Sequence, residues 1–143
     1  HEVVVLRAYA KYLRQTGFTF SQSYIEETFA NNPHIAKNLI ELFKLRFDPE
    51  QYQSNADKIE ALEKILRIDL DNVVNLDEDR ILRRYWDLVK ATLRTNYFQD
   101  DANGQVKSYI SFKLNSQIIP ELPLPRPKFE IYVYAPNFEG VHL

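Results

Sequence analysis

The stretch Asp77-Glu-Asp-Arg-Ile-Leu-Arg-Arg-Tyr-Trp-Asp-Leu-Val-Lys90 decides how this chain is read. Ile81, Leu82, Tyr85, Leu88, Val89 and then Leu93 recur at three- and four-residue spacing, the period of one helical face. Trp86 and Thr92 border that stripe. Acidic residues fill the opening turn and arginines follow, the order that a helix dipole favours. Asp77 therefore reads as the cap of a helix over 77–96.

The same period runs back toward the N-terminus. Val3, Leu6, Ala10 and Leu13 predict a helix over 2–15, closed by Gly17. Ser23 and Glu26 fit a capping box for a helix over 23–30, with Ile25 and Phe29 inward. Asn32-Pro33 is a start signal for 33–47, which is expected to bury Ile35, Leu39, Leu42, Phe43 and Leu45. Asp48-Pro49 repeats that signal for a helix over about 50–68, with Ile59, Leu62, Ile65 and Leu66 on one stripe.

Toward the C-terminus the period changes. Gln99-Asp-Asp-Ala-Asn-Gly104 is turn chemistry. Residues 107–115 alternate, with Ile110, Phe112 and Leu114 on one face. Four prolines in 120–127 predict an extended connector. Residues 128–135 alternate again, with Phe129, Ile131 and Val133 as the expected inward face and Glu130, Tyr132 and Tyr134 outward. The expected fold is mainly α: a multi-helix bundle with a C-terminal two-stranded antiparallel β segment, a truncated α+β arrangement. Two strands alone are marginal in water, so they need cover from helices or pairing with further strands. The chain contains no Met, enters an apolar pattern at His1-Glu-Val-Val-Val-Leu6, and stops at Glu139-Gly-Val-His-Leu143 soon after a strand. Both ends read as cuts in a longer polypeptide.

Composition removes several function classes. The net charge of -2 leaves no basic footprint for nucleic acid or an anionic membrane. No apolar run reaches the ~20 residues of a membrane span. The absence of Cys excludes thiolate chemistry and Cys-based zinc sites, and fits a cytoplasmic setting. The glycines Gly17, Gly104 and Gly140 are too far apart for a phosphate-cradling loop.

The candidate chemical clusters read as structure. Asp69-Leu-Asp-Asn72 opens like a calcium loop, but Val74 and Arg80 stand where such a loop needs Gly and Glu. Asp77-Glu-Asp79 could gather a metal, yet Arg80, Arg83 and Arg84 follow within two turns and can neutralise it. His1, His34 and His142 are scattered without ligand spacing, and His34 is expected to be exposed. No Ser sits in a glycine-flanked elbow. Arg94, Tyr132 and Tyr134 could meet an anion or another subunit. From the residues alone, the chain is a helical domain with a β appendage, and no catalytic, cofactor-binding or metal residue is assigned. A free-standing helical module that binds a protein partner through Tyr and Phe is the alternative reading.

Asn75-Leu-Asp-Glu-Asp-Arg-Ile-Leu-Arg-Arg84 and Ala91-Thr-Leu-Arg-Thr-Asn-Tyr97 resemble the large NAD-specific glutamate dehydrogenases of bacteria. So do Ser111-Phe-Lys-Leu114, Leu122-Pro-Leu-Pro-Arg-Pro127, Glu130-Ile-Tyr-Val-Tyr-Ala-Pro136 and Glu139-Gly-Val-His-Leu143. The N-terminal part fits through Leu6-Arg-Ala-Tyr-Ala10, Phe20-Ser21, Tyr24-Ile-Glu26 and Arg46-Phe-Asp-Pro49. The resemblance implies a place between a regulatory region with ACT-like folds and the catalytic domain. It implies a helical domain over 1–98, then turn, strands and Pro-rich connector over 99–143, opening the substrate-binding domain. The parent would convert glutamate to 2-oxoglutarate with NAD, as a homo-oligomer in the cytoplasm. The resemblance carries none of that enzyme's substrate, catalytic or NAD-binding residues onto 1–143; its partners would be the rest of the same polypeptide.

Overall fold

The computed structural model describes residues 2–49, 55–100, 102–105 and 107–135, and the backbone of 138–142. Five helices come first: α1 Val3–Gln15, α2 Gln22–Asn31, α3 Pro33–Phe47, α4 Ala56–Asp71 and α5 Leu76–Ala91. Four strands follow: β1 Thr92–Thr95, β2 Ile110–Asn115, β3 Phe129–Ala135 and β4 Phe138–His142. They form one antiparallel sheet in the order β1-β2-β3-β4. The class is mainly α with a small β part. Contacts divide the chain into two compact units, residues 20–89 and the discontinuous pair 1–19 with 90–143.

In the unit of residues 20–89, capping explains the helix ends better than the sequence did. Ser21, in an extended conformation, accepts the Tyr24 amide and caps α2; Ser23 lies inside the helix. Asn32 precedes α3, but its carboxamide donates to Thr28 O at 2.8 Å and to Glu78 Oε1 at 3.1 Å instead of capping. Pro33 holds the first helical position, where a missing N–H costs nothing. Asn55, fully buried, donates to Leu45 O at 3.0 Å and so ties the start of α4 to the end of α3. The expected helix start over 50–54 lies outside the described residues. Asn75, not Asp77, caps α5, through its Oδ1 and the Glu78 amide at 3.0 Å.

Burial follows the helical period with local shifts. Ile81, Leu82, Tyr85, Trp86, Leu88 and Val89 of α5 are all buried, as the stripe predicts. On α4 the buried residues are Leu66 and Leu70, while Ile65 is 49% exposed and Ile59 and Leu62 are half-buried. Phe29 of α2 meets Tyr85 edge-on at 4.7 Å.

In the other unit, α1 packs on β2 and β3. Its inward stripe is Val5, Ala8, Tyr9, Tyr12 and Leu13; Val3 is 52% exposed and Leu6 half-buried. The helix ends where Gly17, at φ +90°, allows its own amide to reach Arg14 O and the Phe18 amide to reach Leu13 O. That is the double-bonded glycine cap, with Phe18 buried beside it.

Three expectations for the sheet are corrected. The last turn expected of the 77–96 helix is β1, because Thr92 and Thr95 pair with Leu114 and Phe112 of β2. β-Branched threonines suit that pleated edge. The sheet has four strands, since β4 pairs along β3 from Ile131↔His142 to Ala135↔Phe138. The inward face of β3 is also the reverse of the sequence reading. Glu130 and Tyr132 point toward α1, 6% and 0% exposed, while Phe129 and Ile131 face away, 38% and 47% exposed. Register explains the reversal: Phe112 lies opposite Tyr132 and Leu114 opposite Glu130, and directly opposed residues share a face.

Candidate functional site

The chemically richest place in the described residues lies beneath α1. Tyr12 Oη donates to Glu130 Oε1 at 3.1 Å, and Ser116 Oγ donates to the same oxygen at 2.8 Å. All three residues are buried. Ser116 opens the short 3-10 turn Ser116–Ile118 directly after β2, so the carboxylate joins α1, β3 and that turn. Nearby, Tyr9 Oη and Thr92 Oγ1 share a hydrogen bond of 2.7 Å. Tyr9 stacks on Phe112 at 4.5 Å, and Tyr12 meets Tyr132 edge-on at 5.4 Å.

The electrostatics follow from this geometry. Burial pushes the Tyr12 phenol well above its ordinary range, and the negative Glu130 beside it raises it further. A phenol held protonated donates steadily to a carboxylate and does not act as a base at neutral pH. Glu130 spends one oxygen on two hydroxyls, the satisfied state that a buried carboxylate requires. The cluster therefore locks three elements together. Its hydroxyls and carboxylate face each other, and all three side chains are buried.

The residues singled out in the sequence fall elsewhere. Asp71, at the end of α4, receives Arg83 Nη2 at 2.9 Å, and Asp79 receives Arg83 Nε at 2.8 Å. Hydrogen bonds to Asp71 first and Asp79 second raise the Arg83 pKa, holding the guanidinium more firmly protonated. Glu78 accepts from Asn31 and Asn32, and Arg80 lies over Phe20. In this first turn Arg83 neutralises Asp79, and two asparagine amides hold Glu78. Among the described residues, no three His, Cys, Asp or Glu side chains are placed to hold a metal. His34 is exposed. His1, and the side chain of His142, lie outside the described residues.

Arg94 and the two tyrosines do not converge. Arg94 pairs with Lys113 on the outer face of the sheet, while Tyr132 is on the inner face. A shallow groove on α4, lined by Ala56, Ile59, Glu60, Glu63, Lys64 and Arg67, is presented by one helix and cannot enclose a ligand. The described residues do not fit a dinucleotide. The sheet is antiparallel throughout, and neither Gly17 nor Gly104 links a strand to a helix start. No helix among the described residues is long and apolar enough to cross a membrane.

Sequence reasoning missed Tyr9, Tyr12, Thr92, Ser116 and Glu130 as a group. One signal was available. Tyr9 and Tyr12 are three apart on a helix and sit on its apolar side, so their hydroxyls had to find buried partners.

The comparisons fit this arrangement. The family model for the catalytic domain of bacterial NAD-glutamate dehydrogenase matches residues 65–143. The chain belongs to that family. A second model, glutamate dehydrogenase helical motif 3, matches residues 1–49. The catalytic-domain match begins inside α4 and takes in α5 and the whole described sheet. The NAD-specific glutamate dehydrogenase of Pseudomonas aeruginosa is 52% identical over 99% of the chain. Those of Mycobacterium tuberculosis and Halomonas elongata are 49% and 47% identical, also over 99% of the chain. The chain spans about 9% of the length of each of these relatives.

Proposed function

We propose that this chain is a non-catalytic helical and linker segment of a large NAD-dependent glutamate dehydrogenase. The parent enzyme would remove hydride from the α-carbon of L-glutamate. NAD takes the hydride, and water replaces the nitrogen, leaving 2-oxoglutarate, ammonium, NADH and a proton. The observation that carries this reading is the match, near half identity over 99% of the chain, to enzymes named for that activity. Residues 1–98, helical except for β1 among the described residues, would join the regulatory region to the catalytic region. Residues 99–143 would open the substrate-binding domain, with α1 as the helix that covers the first strands.

Glutamate and NAD would be held by residues outside 1–143. The antiparallel sheet and the three isolated glycines support that assignment. The remaining polypeptide is the natural partner, with a cytoplasmic homo-oligomer as the working assembly. The test has two arms. The full polypeptide should produce NADH from glutamate and NAD, and residues 1–143 alone should show no saturable NAD binding in calorimetric titration. An inactive full polypeptide would remove the dehydrogenase reading. Micromolar NAD binding by 1–143 would remove the non-catalytic one.

A further inference from the structure

The outer face of the sheet, opposite α1, carries apolar side chains that nothing in the described residues covers. Phe129 is 38% exposed, Ile131 47% and Leu93 43%. Leu93 follows the inward Thr92, and the β1–β2 register shift between Thr92 and Arg94 brings Arg94 opposite Lys113 on the same outer face. Such a shift turns the edge strand locally and re-aims its side chains. Three cations surround the patch. Lys113 lies directly opposite Ile131 and holds its Nζ 4.8 Å from the Phe129 ring centroid; Lys128 approaches the same ring at 5.4 Å. Arg94 sits across from Lys113 on the neighbouring strand. None of the three has a carboxylate partner among the described residues. Cations directly opposite one another on a sheet repel, so an arrangement with no acid nearby is costly unless an anion arrives.

The contrast with the inner face is informative. There the carboxylate Glu130 is met by two hydroxyls, and the tyrosines by aromatic rings. The outer face has apolar area and positive charge, and no carboxylate among the described residues. Its complement is a segment that is apolar on one side and acidic along its margins. An amphipathic helix with Leu, Ile or Phe at i, i+3 and i+4 and flanking Asp or Glu has that form. The chain spans about 9% of the length of its relatives, so a segment of this form in the same polypeptide would act at high effective concentration.

We propose that the outer sheet face around Phe129, Ile131 and Leu93, with Arg94, Lys113 and Lys128, docks an acidic amphipathic helix from elsewhere in the same polypeptide. Docking covers the three apolar side chains and pairs the cations with carboxylates at the margin. Phe129 and Ile131 form the centre of the contact, and the lysines fix its register.

The experiment uses the full-length polypeptide, and it stands whether or not that polypeptide oxidises glutamate. Amine acetylation at low reagent concentration is followed by mass spectrometry, with Lys64 on α4, 68% exposed, as the internal reference. Docking should slow Lys113 and Lys128 at least ten-fold relative to Lys64. Zero-length carbodiimide coupling should then join Lys113 or Lys128 to an Asp or Glu outside 1–143. Mixed heavy- and light-isotope protein distinguishes the source, and the coupled peptides should be of one isotope only. Lys113→Glu should abolish the coupling at Lys128 as well, and Lys113→Arg should keep it. Acetylation of both lysines within three-fold of Lys64 would overturn the proposal. Mixed-isotope coupling would overturn it in favour of a second copy, and coupling to a separate protein would overturn it in favour of that partner.

Discussion

Tyr12 Oη and Glu130 Oε1 lie 3.1 Å apart and link the last turn of α1 to β3 across 118 positions of sequence. The bond is the polar anchor of an otherwise aromatic contact. Tyr12→Phe removes one of the two hydroxyls on a buried carboxylate. It should cost the chain about 1.5–3 kcal/mol, the range for a hydrogen bond to a charged group. A urea melt of residues 1–143 measures it. A loss below roughly 0.5 kcal/mol would show that water replaces the phenol, as at surface sites.

The same pair gives a pH dependence. The Tyr12 phenol is raised above its ordinary 10.0, chiefly by burial. Folded chains therefore keep this proton where unfolded chains have lost it. The stabilisation is complete below pH 10.0 and declines as pH rises past it, by at most about 1.4 kcal/mol per pH unit for one proton. Tyr12→Phe should flatten the decline by that amount. Equal slopes for the two proteins between pH 9 and 11, or about that interval, would mean the phenol titrates normally.

The reversed face of β3 is tested by a pair of substitutions in residues 1–143. Tyr132→Ala empties a fully buried position and should cost ~3–5 kcal/mol. Ile131→Ala, on the open face, should cost less than about 1 kcal/mol. Comparable losses at both sites would restore the alternation that the sequence suggested.

Leu88 checks the α5 stripe. It is fully buried, and Leu88→Ala should destabilise by ~2–5 kcal/mol. A denaturation midpoint shifted by less than about 1 kcal/mol equivalent would place this face outside the core.

These residues also mark how far the sequence could be read. The α5 stripe was legible because it is long and uses unambiguous aliphatic side chains. The β2 face was legible for the same reason. β3 was misread because its aliphatic residues lie outside, while its core position is a tyrosine and its most buried charge is a glutamate. Alternation fixes that two faces exist, not which one is covered; the partner strand's register decides that. β1 was hidden because Thr92–Thr95 continues a helical period without a Gly or Pro between. The polar cluster was least legible. Its members lie in four separate stretches, and only the hydroxyls of Tyr9 and Tyr12 on an apolar helix side hinted that partners were needed.

The discontinuous unit has a consequence for how the polypeptide is made. Within residues 1–143, α1 is synthesised well before the strands that receive its tyrosines. At roughly 5–20 residues per second, the 118 positions between Tyr12 and Glu130 take about 6–24 s to emerge from a ribosome. Residues 20–89 hold their own contacts and have time to fold within that interval. α1 meanwhile must wait with Tyr9, Tyr12 and Leu13 exposed, a window in which a chaperone, or a neighbouring nascent chain, competes for the same surface.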